Sequence, residues 1–353
     1  MVKILGRDYT KMDFQRYFGS FDHLIGFKKY EYNSSRAKGL SAIEVKTGGG
    51  LSFEVLEDRG MDIGVCNYKG IPISFRSAIK ESCPEFFEPL GDEWFRNYGG
   101  GLLTTCGLNY LGAPCVDNGE KLGLHGRISN TPSEELYTRK YWDKDELILE
   151  VNGSIREAKA LNYNLVLNRQ IKVKGGENRF FIKDKIVNEG FRDTCNMILY
   201  HFNIGHPVLD LDSKLYLRTK EVVPRDEIAS NRWDKYNEYL APTKDYPDVV
   251  YYHSLESSND GICKVAFVNH NIDIGIYIKY NSKTLPYFTQ WKFTGEGNYV
   301  TGLEPGNCRV NGRDIERREN RLKILKPYEE VNYEIEFGII DRKENIDRCI
   351  KDI

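Results

Sequence analysis

The 353-residue sequence predicts an all-β chain folded as one large antiparallel β-sandwich with a few short helices. Three observations carry this expectation. Apolar residues alternate with polar ones at period two in run after run, which puts apolar side chains on one sheet face. Glycine- and proline-bearing turns separate those runs. Helical spacing is confined to short stretches that do not alternate regularly with strands, which argues against a parallel α/β sheet.

Taken along the chain, the first helical signal is Phe14, Tyr17, Phe18 and Phe21. Gly48-Gly49-Gly50 then predicts a hairpin, because glycine adopts positive φ cheaply, and Leu51, Phe53 and Val55 alternate just after it. Leu147, Leu149 and Val151 form the next alternating run, and Asn152-Gly153 reads as a turn closing it. Gly175-Gly176 predicts a turn before the strand at 180–187, where Phe180, Ile182, Asp184 and Ile186 face opposite to Phe181, Lys183, Lys185 and Val187. Residues 226–239 read as a short helix within a long connection. Ile274, Ile276, Ile278 and Tyr280 alternate, as do Val331, Tyr333, Ile335, Phe337 and Ile339 beyond the turn at Lys326-Pro327-Tyr328. Ile346, Ile350 and Ile353 predict a terminal helix. Two stretches lack alternation, about 76–100 and 220–250. Both are rich in Pro, Arg, Asp and aromatic residues, as functional loops above a sheet face are. Nothing repeats at a solenoid or propeller period. No linker-like segment divides the chain, so the expectation is a single domain over 1–353, with 1–35 as an N-terminal extension packed on it and 342–353 as a tail or helix.

Composition narrows the function classes. Hydrophobic residues make up 40%, charged residues 29%, and the net charge is −2, which excludes the basic footprint of a nucleic-acid binder or an anionic-membrane binder. Charges interrupt every apolar run well short of the ~18 residues of a membrane span, and the start of the chain lacks the apolar stretch of a signal peptide. The eight cysteines form no CxxC pair, so the expected state is reduced thiols in a cytoplasmic protein. Cys106 and Cys308 lack an adjacent His or Lys and read as packing residues.

Three residues stand out chemically. Glu304 lies in Tyr299-Val-Thr-Gly-Leu-Glu304-Pro-Gly-Asn307, a position that predicts a carboxylate at a strand end before a Pro-Gly turn. His125 lies in Leu122-Gly-Leu-His125-Gly-Arg127, where Gly123 and Gly126 predict close approach of a ligand to the backbone. His201 lies in Ile198-Leu-Tyr-His201-Phe-Asn203. The plain alternatives are a solvated turn carboxylate, a turn histidine and a hydrogen-bonded core histidine. Asp58-Arg59-Gly60-Met61-Asp62 reads first as a tight turn with a local ion pair. No zinc spacing is present, and the glycines at 99–101 lack the Gly-Lys-Ser/Thr ending of a phosphate loop, so neither a metal nor another cofactor is expected.

Six motifs in order carry a family resemblance: Asp58-Arg-Gly-Met-Asp62-Ile, Gly99-Gly-Gly-Leu-Leu-Thr-Thr-Cys106-Gly-Leu, Leu124-His125-Gly-Arg127-Ile, Leu199-Tyr-His201-Phe-Asn203-Ile-Gly-His206-Pro, Thr284-Leu-Pro-Tyr-Phe-Thr-Gln290-Trp-Lys292 and Gly302-Leu-Glu304-Pro-Gly. Together they resemble the galactose mutarotase-like superfamily, most of all its aldose 1-epimerase-like branch of mostly unassigned substrate. The resemblance implies a supersandwich fold and an isomerase that exchanges the α and β anomers of an aldose. It implies that Glu304 takes the anomeric hydroxyl proton, that His201 protonates the ring oxygen and that His125 binds the sugar. The family also places an arginine on the sugar, for which Arg59, Arg76 and Arg96 are candidates. Gln290, Trp291 and Lys292 are candidate sugar contacts, Lys292 for hydroxyls or an acidic substituent, against the alternative of a packed Trp and a snorkelling Lys.

The chemistry is coherent in its own terms. Ring opening needs a base that is ionised at neutral pH, expected of a Glu with pKa near 4, and an acid that holds a proton near neutrality, expected of His. Opposed acid and base predict a bell-shaped pH profile. The partner is a small-molecule sugar, with no nucleic acid and no membrane, and an exposed edge strand could support a homodimer. Two rivals remain open at this point. One is an epimerase or isomerase acting at a carbon other than C1, and the other is a non-catalytic sugar-binding or sensing protein.

Overall fold

A computed structural model describes residues 1–232 and 235–353. A twelve-stranded sheet runs, in hydrogen-bonded order, Thr219–Pro224, Val249–Leu255, Tyr287–Gly295, Asn298–Gly306, Thr194–Gly205, Leu103–Leu108, Asp62–Tyr68, Leu51–Leu56, Ser41–Thr47 and Ile25–Glu31, with Lys323–Leu325 and Ile71–Pro72 joined beside that path. An eight-stranded sheet runs Ser133–Asp143, Glu146–Ala158, Asn164–Lys174, Arg179–Asn188, Glu330–Asp341, Ile274–Asn281, Ile262–Asn269 and Lys214–Leu217. Every ladder in the two sheets is antiparallel. The chain is therefore the all-β antiparallel sandwich that its alternation predicts.

The apolar faces of the two sheets meet in one core. Phe53 packs on Phe180 with ring centroids 4.8 Å apart, and Phe202 stacks on Phe337 at 5.4 Å. Each such side chain taken out of water contributes about 1.5–3 kcal/mol. A polar knot crosses the same core. Arg169 donates to Asp184 at 2.7 and 3.0 Å and lies 3.4 Å from Asp62, Tyr200 donates to Asp184 at 2.7 Å, and Thr105 donates to Asp62 through its backbone N–H (2.9 Å) and its hydroxyl (2.6 Å). Buried charge is tolerable only when paired in this way. The knot ties the smaller sheet to Tyr200 and Asp62 of the larger one, directly behind the strand that carries His201.

Three local expectations change. Asn152-Gly153 is not a turn but the middle of the strand Glu146–Ala158, because a Cβ on Gly153 would come 2.7 Å from Met61 Sδ. This glycine marks a close approach inside the sandwich. Glu304 does lie close to a strand end, but the expected Pro-Gly turn is absent there, since Asn298–Gly306 continues through Pro305 and Gly306. Its ladder to Thr194–Gly205 is recorded at Leu199–Gly306 and resumes at Phe202–Leu303, so Pro305 falls in the interruption, where its missing N–H is tolerated. Of the helix expected over 226–239, the described residues form an α-helix at Glu227–Ser230, capped by the Asp226 side chain on Ala229 N–H at 3.0 Å, and the expected span also includes Trp233 and Asp234, which lie outside the described residues.

At the N-terminus, Thr10 and Asp13 form a capping box on the helix Lys11–Tyr17, and Phe14 on that helix is buried against Phe18 and Phe21. Ile25–Glu31 pairs with Ser41–Thr47, so the region read as an extension ends in an edge strand of the large sheet. The C-terminal helix Lys343–Lys351 buries Ile346 and Cys349. All eight cysteines are free. Among the described residues, no helix is long and apolar enough to cross a membrane.

Candidate active site

The site grows from four neighbouring strands of the large sheet. Thr104 pairs with His201 and Thr289 pairs with Glu304, while the Leu199–Gly306 and Phe202–Leu303 pairs set His201 opposite Glu304. Strand alternation turns Phe202 and Leu303 into the core and sends His201 and Glu304 to the other face. There His201 Nε2 stands 3.1 Å from Glu304 Oε1, with both residues almost fully buried. Gly302 makes room for them. A Cβ at that position would lie 2.2 Å from Glu304 Oε1 and 2.9 Å from His201 Cε1.

The irregular segments build the walls of a pocket of about 130 Å³ over this pair. The 76–100 segment supplies Trp94, Phe95 and Tyr98, and the connection following Thr219–Pro224 supplies Arg225 and Asp248. Trp94 stacks on Tyr98 at 4.7 Å and meets the His125 ring edge-on at 5.0 Å, and Trp291 stands 5.3 Å from the His201 ring. The Tyr98 hydroxyl donates to Asn203 Oδ1 at 2.7 Å, and Asn203 donates in turn to the His201 carbonyl at 3.0 Å. Among the described residues, four buried polar atoms on the lining have no partner, Trp94 Nε1, His125 Nδ1, His201 Nδ1 and Thr289 Oγ1, and Glu304 Oε1 has the 3.1 Å His201 Nε2 contact without an aligned hydrogen bond. Buried polar groups are ordinarily satisfied, so their convergence on one aromatic-walled pocket marks it as the candidate binding site.

The sequence candidates fare unequally. His125 joins His201 and Glu304 in the pocket, its ring centroid 6.0 Å from that of His201. Its flanking glycines serve a different purpose from the one expected. A Cβ on Gly123 would lie 2.2 Å from the Pro89 carbonyl oxygen, and one on Gly126 would lie 2.3 Å from those of Gly107 and Tyr110. They admit neighbouring backbone, not a ligand, and Gly126 and His125 itself adopt positive φ. Arg96 lies outside the pocket lining, largely exposed and paired with Glu93. Arg76 pairs with Glu81 on the surface. Arg59 is buried elsewhere and donates to the Ser82 carbonyl at 2.8 Å, since the Asp58–Asp62 turn packs beneath that segment. Gln290 and Lys292 point away from the pocket, as alternation with Thr289 and Trp291 requires. Gln290 donates to the Tyr236 carbonyl (2.7 Å) and to the Tyr239 hydroxyl (2.9 Å), and Lys292 donates to the carbonyls of Lys235 (3.0 Å) and Glu238 (2.5 Å).

Arg225 is the pocket arginine that residue-type reasoning missed. It donates to Asp226 Oδ2 and Asp248 Oδ2, each at 2.8 Å, and Asp248 Oδ1 accepts from the Trp291 indole N–H. Its signal was the Pro-, Arg- and Asp-rich stretch at 220–250, already marked as a functional connection.

Burial rewrites the expected charges. It pushes the Glu304 carboxyl well above the ordinary carboxylate range, reinforced by Asp248 and opposed by Arg225. It lowers the His201 imidazole to about 3, with His125 adding to the effect, and His125 to about 4, with Arg225 adding. Both shifts favour a carboxylic acid beside a neutral imidazole over the expected carboxylate and imidazolium. The two forms hold the same number of protons and differ in which group keeps one of them. Cys106 and Cys308 are buried thiols, raised well above their ordinary range by desolvation, as packing residues are.

Comparison with known proteins places this geometry. The fold aligns with a protein from Klebsiella pneumoniae provisionally assigned as an aldose 1-epimerase, at TM-score 0.89 and 22% identity, covering 93% of this chain and 86% of that one. It aligns with a galactose mutarotase-like protein from Clostridium acetobutylicum at TM-score 0.63 and 13% identity (91% and 100% covered). It also aligns with a galactose 1-epimerase from Lactobacillus acidophilus at 0.58 and 13% (90% and 99% covered). At these identities the likeness establishes the shared galactose mutarotase-like fold. No curated protein matches by sequence. A family model does match, over residues 37–339, a span that takes in the pocket and, apart from the edge strand Ile25–Glu31 and the last residues of Glu330–Asp341, both sheets. The chain therefore belongs to the family described as a domain of unknown function, DUF4432, here built on the galactose mutarotase-like sandwich.

Proposed function

We propose that the protein is an aldose mutarotase-like isomerase that opens and recloses a cyclic hemiacetal at the anomeric carbon. The observation that carries this reading is the buried His201–Glu304 contact of 3.1 Å at the floor of an aromatic-walled pocket. One group takes the O1 proton, the other protonates the ring oxygen, and the C1–ring oxygen bond breaks to give the open aldehyde. Rotation about C1–C2 and closure by the reverse steps give the other anomer. Both tautomers of the pair contain one donor and one acceptor, so the chemistry runs from the neutral form with Glu304 as acid and His201 as base, or from the charge-separated form with the roles exchanged. His125 and Thr289 have free buried polar atoms for sugar hydroxyls, and Trp291 and Trp94 offer faces for the apolar side of the ring.

The pocket also favours an uncharged sugar. Its one lining arginine is committed to two carboxylates, and Lys292, the candidate for an acidic substituent, is turned away. The test is saturation-exchange NMR between α and β anomers over neutral, acidic and phosphorylated aldoses, with Glu304→Ala as control. Exchange above the solvent rate for a neutral sugar, lost in the control, supports the reading. Absence of acceleration throughout the panel defeats it. Solvent deuterium entering a C–H bond would point instead to epimerisation at another carbon.

A further inference from the structure

On the opposite side of the molecule, the outer face of the eight-stranded sheet carries a long polar trough. Register aligns one cross-strand row through it. Tyr137 pairs with Asn152, Asn152 with Gln170, Gln170 with Lys183 and Lys183 with Glu334. One step beyond the Tyr280–Ile335 pair, Asn281 comes beside Glu334, and Asn281 pairs with Ile262. Seven strands are crossed, a length of roughly 29 Å at the usual strand spacing. Two concavities of about 400 and 520 Å³ lie along this row and share Lys183, Asn332 and Glu334.

The chemistry of the trough is specific. Its centre is rich in amides, with Gln170 donating to Asn152 Oδ1 at 2.9 Å. Asn152 lines the trough and is 8% exposed, and its Nδ2 is buried without a partner. A buried unpaired amide calls for a ligand acceptor. The cations are balanced, Lys183 by Glu334 at 3.1 Å and Lys185 by Glu330 at 3.5 Å, so the trough offers no field to a charged polymer. Tyr137, 52% exposed, presents its ring at one end, where a bulge between Glu134 and Tyr137 breaks the edge ladder.

We propose that this trough binds a linear, neutral glycan chain, with Tyr137 stacking on a sugar ring and the amides of Asn152 and Gln170 bonding hydroxyls. The proposal is independent of the reaction in the pocket.

The test is affinity electrophoresis of the intact protein in native gels containing soluble neutral polysaccharides (xylan, mixed-linkage β-glucan, galactan, amylose), with sedimentation velocity alongside. Tyr137→Ala and Gln170→Ala change solvent-facing positions, and Trp291→Ala changes only the pocket. The expected result is retardation in at least one gel, lost in Tyr137→Ala, weakened in Gln170→Ala and kept in Trp291→Ala. Retardation in none of the gels overturns the proposal. So does retardation lost only in Trp291→Ala, which would put the glycan in the pocket, or unchanged by both trough substitutions. A dimer abolished by Tyr137→Ala, with no retardation, would show that a second copy of the chain covers the face.

Discussion

Arg225 and Asp248 stand at the two ends of one connection, 23 residues apart in sequence, and close it with a 2.8 Å ion pair at the pocket wall. Asp248 also accepts from the Trp291 indole, so a single carboxylate orients both the cation and an aromatic wall. Asp248→Asn keeps the shape and removes the charge. Trp291 and Arg225 then lose their common anchor, and KM should rise about tenfold with a smaller change in kcat, since the reacting pair is not displaced. Because Asp248 helps to hold the Glu304 carboxyl high, the same substitution should move the alkaline limb of the pH–rate profile downward. Anomer-exchange kinetics across pH measure both effects. An unchanged alkaline limb would show that Asp248 does not act on Glu304 electrostatically.

The His201–Glu304 pair should act as one unit. Loss of a positioned acid or base typically costs 10²–10⁴-fold, and residues that act together do not contribute additively. Glu304→Gln and His201→Asn should each lower kcat by about that factor, with the double variant little worse than either. Their pH dependence follows from the direction of the shifts. The pair gains a second proton only far below the ordinary histidine range, because His201 is lowered to about 3, and loses its one proton above the ordinary carboxylate range, because Glu304 is raised. The rate should therefore hold from neutrality down to about pH 4, where the carboxylate base of an unperturbed imidazolium–carboxylate pair would already be taking up a proton. An acid limb centred near 6.5 would rule this protonation scheme out.

Gly302 offers a steric test of the same pair. Its missing Cβ is the space into which Glu304 Oε1 and the His201 ring fit. Gly302→Ala leaves the strand intact but pushes the carboxylate aside, and a misplacement of about 1 Å can cost about 10²-fold. The expected outcome is a loss of kcat of that order with Tm within a few degrees of wild type. Full activity in the alanine variant would mean that the contact is not used in the reaction.

Much of this architecture was legible from residue patterns because its causes are local. Alternation reveals a strand with one buried face wherever it occurs, and the runs at 51–55, 180–187, 274–280 and 331–339 all lie in sandwich strands. His201, Glu304 and His125 could be selected because short motifs around them carry chemistry, and the structure brings all three into one pocket. The failures share a different cause. Arg225, Arg96 and Arg59 look alike in sequence, and only the path of the chain decides which of them reaches the pocket. Gln290 and Lys292 adjoin Trp291, yet period-two geometry sends them to the opposite face. The glycines at 153 and 302 answer to side chains distant in sequence or across a strand, which no local turn rule reports. The protonation of Glu304 depends on burial, which is a property of the assembled fold.

His253 provides a test of that last point away from the reaction. It is buried beside Gln290, with Nε2 3.0 Å from the amide oxygen, and burial lowers its imidazole to about 4. The unfolded chain binds a proton there near the ordinary histidine value of about 6.5, so between about 6.5 and 4 the unfolded state holds more protons than the folded one. Stability that is fully present above about 6.5 is therefore lost as the pH falls toward 4. A shift of this size corresponds to about 2–3 kcal/mol between about pH 7 and 4.5. His201 and His125 contribute with the same sign, whereas the raised carboxyl of Glu304 opposes them, because the folded state takes up its proton first. His253→Phe should cost about 1 kcal/mol at neutral pH by leaving the Gln290 amide oxygen unpaired. It should also remove about 2–3 kcal/mol of the acid-induced loss, leaving the other groups untouched. Urea unfolding of both proteins at the two pH values isolates the difference. Parallel stability–pH curves would mean that His253 accepts a proton in the folded protein, and that water reaches this part of the sandwich.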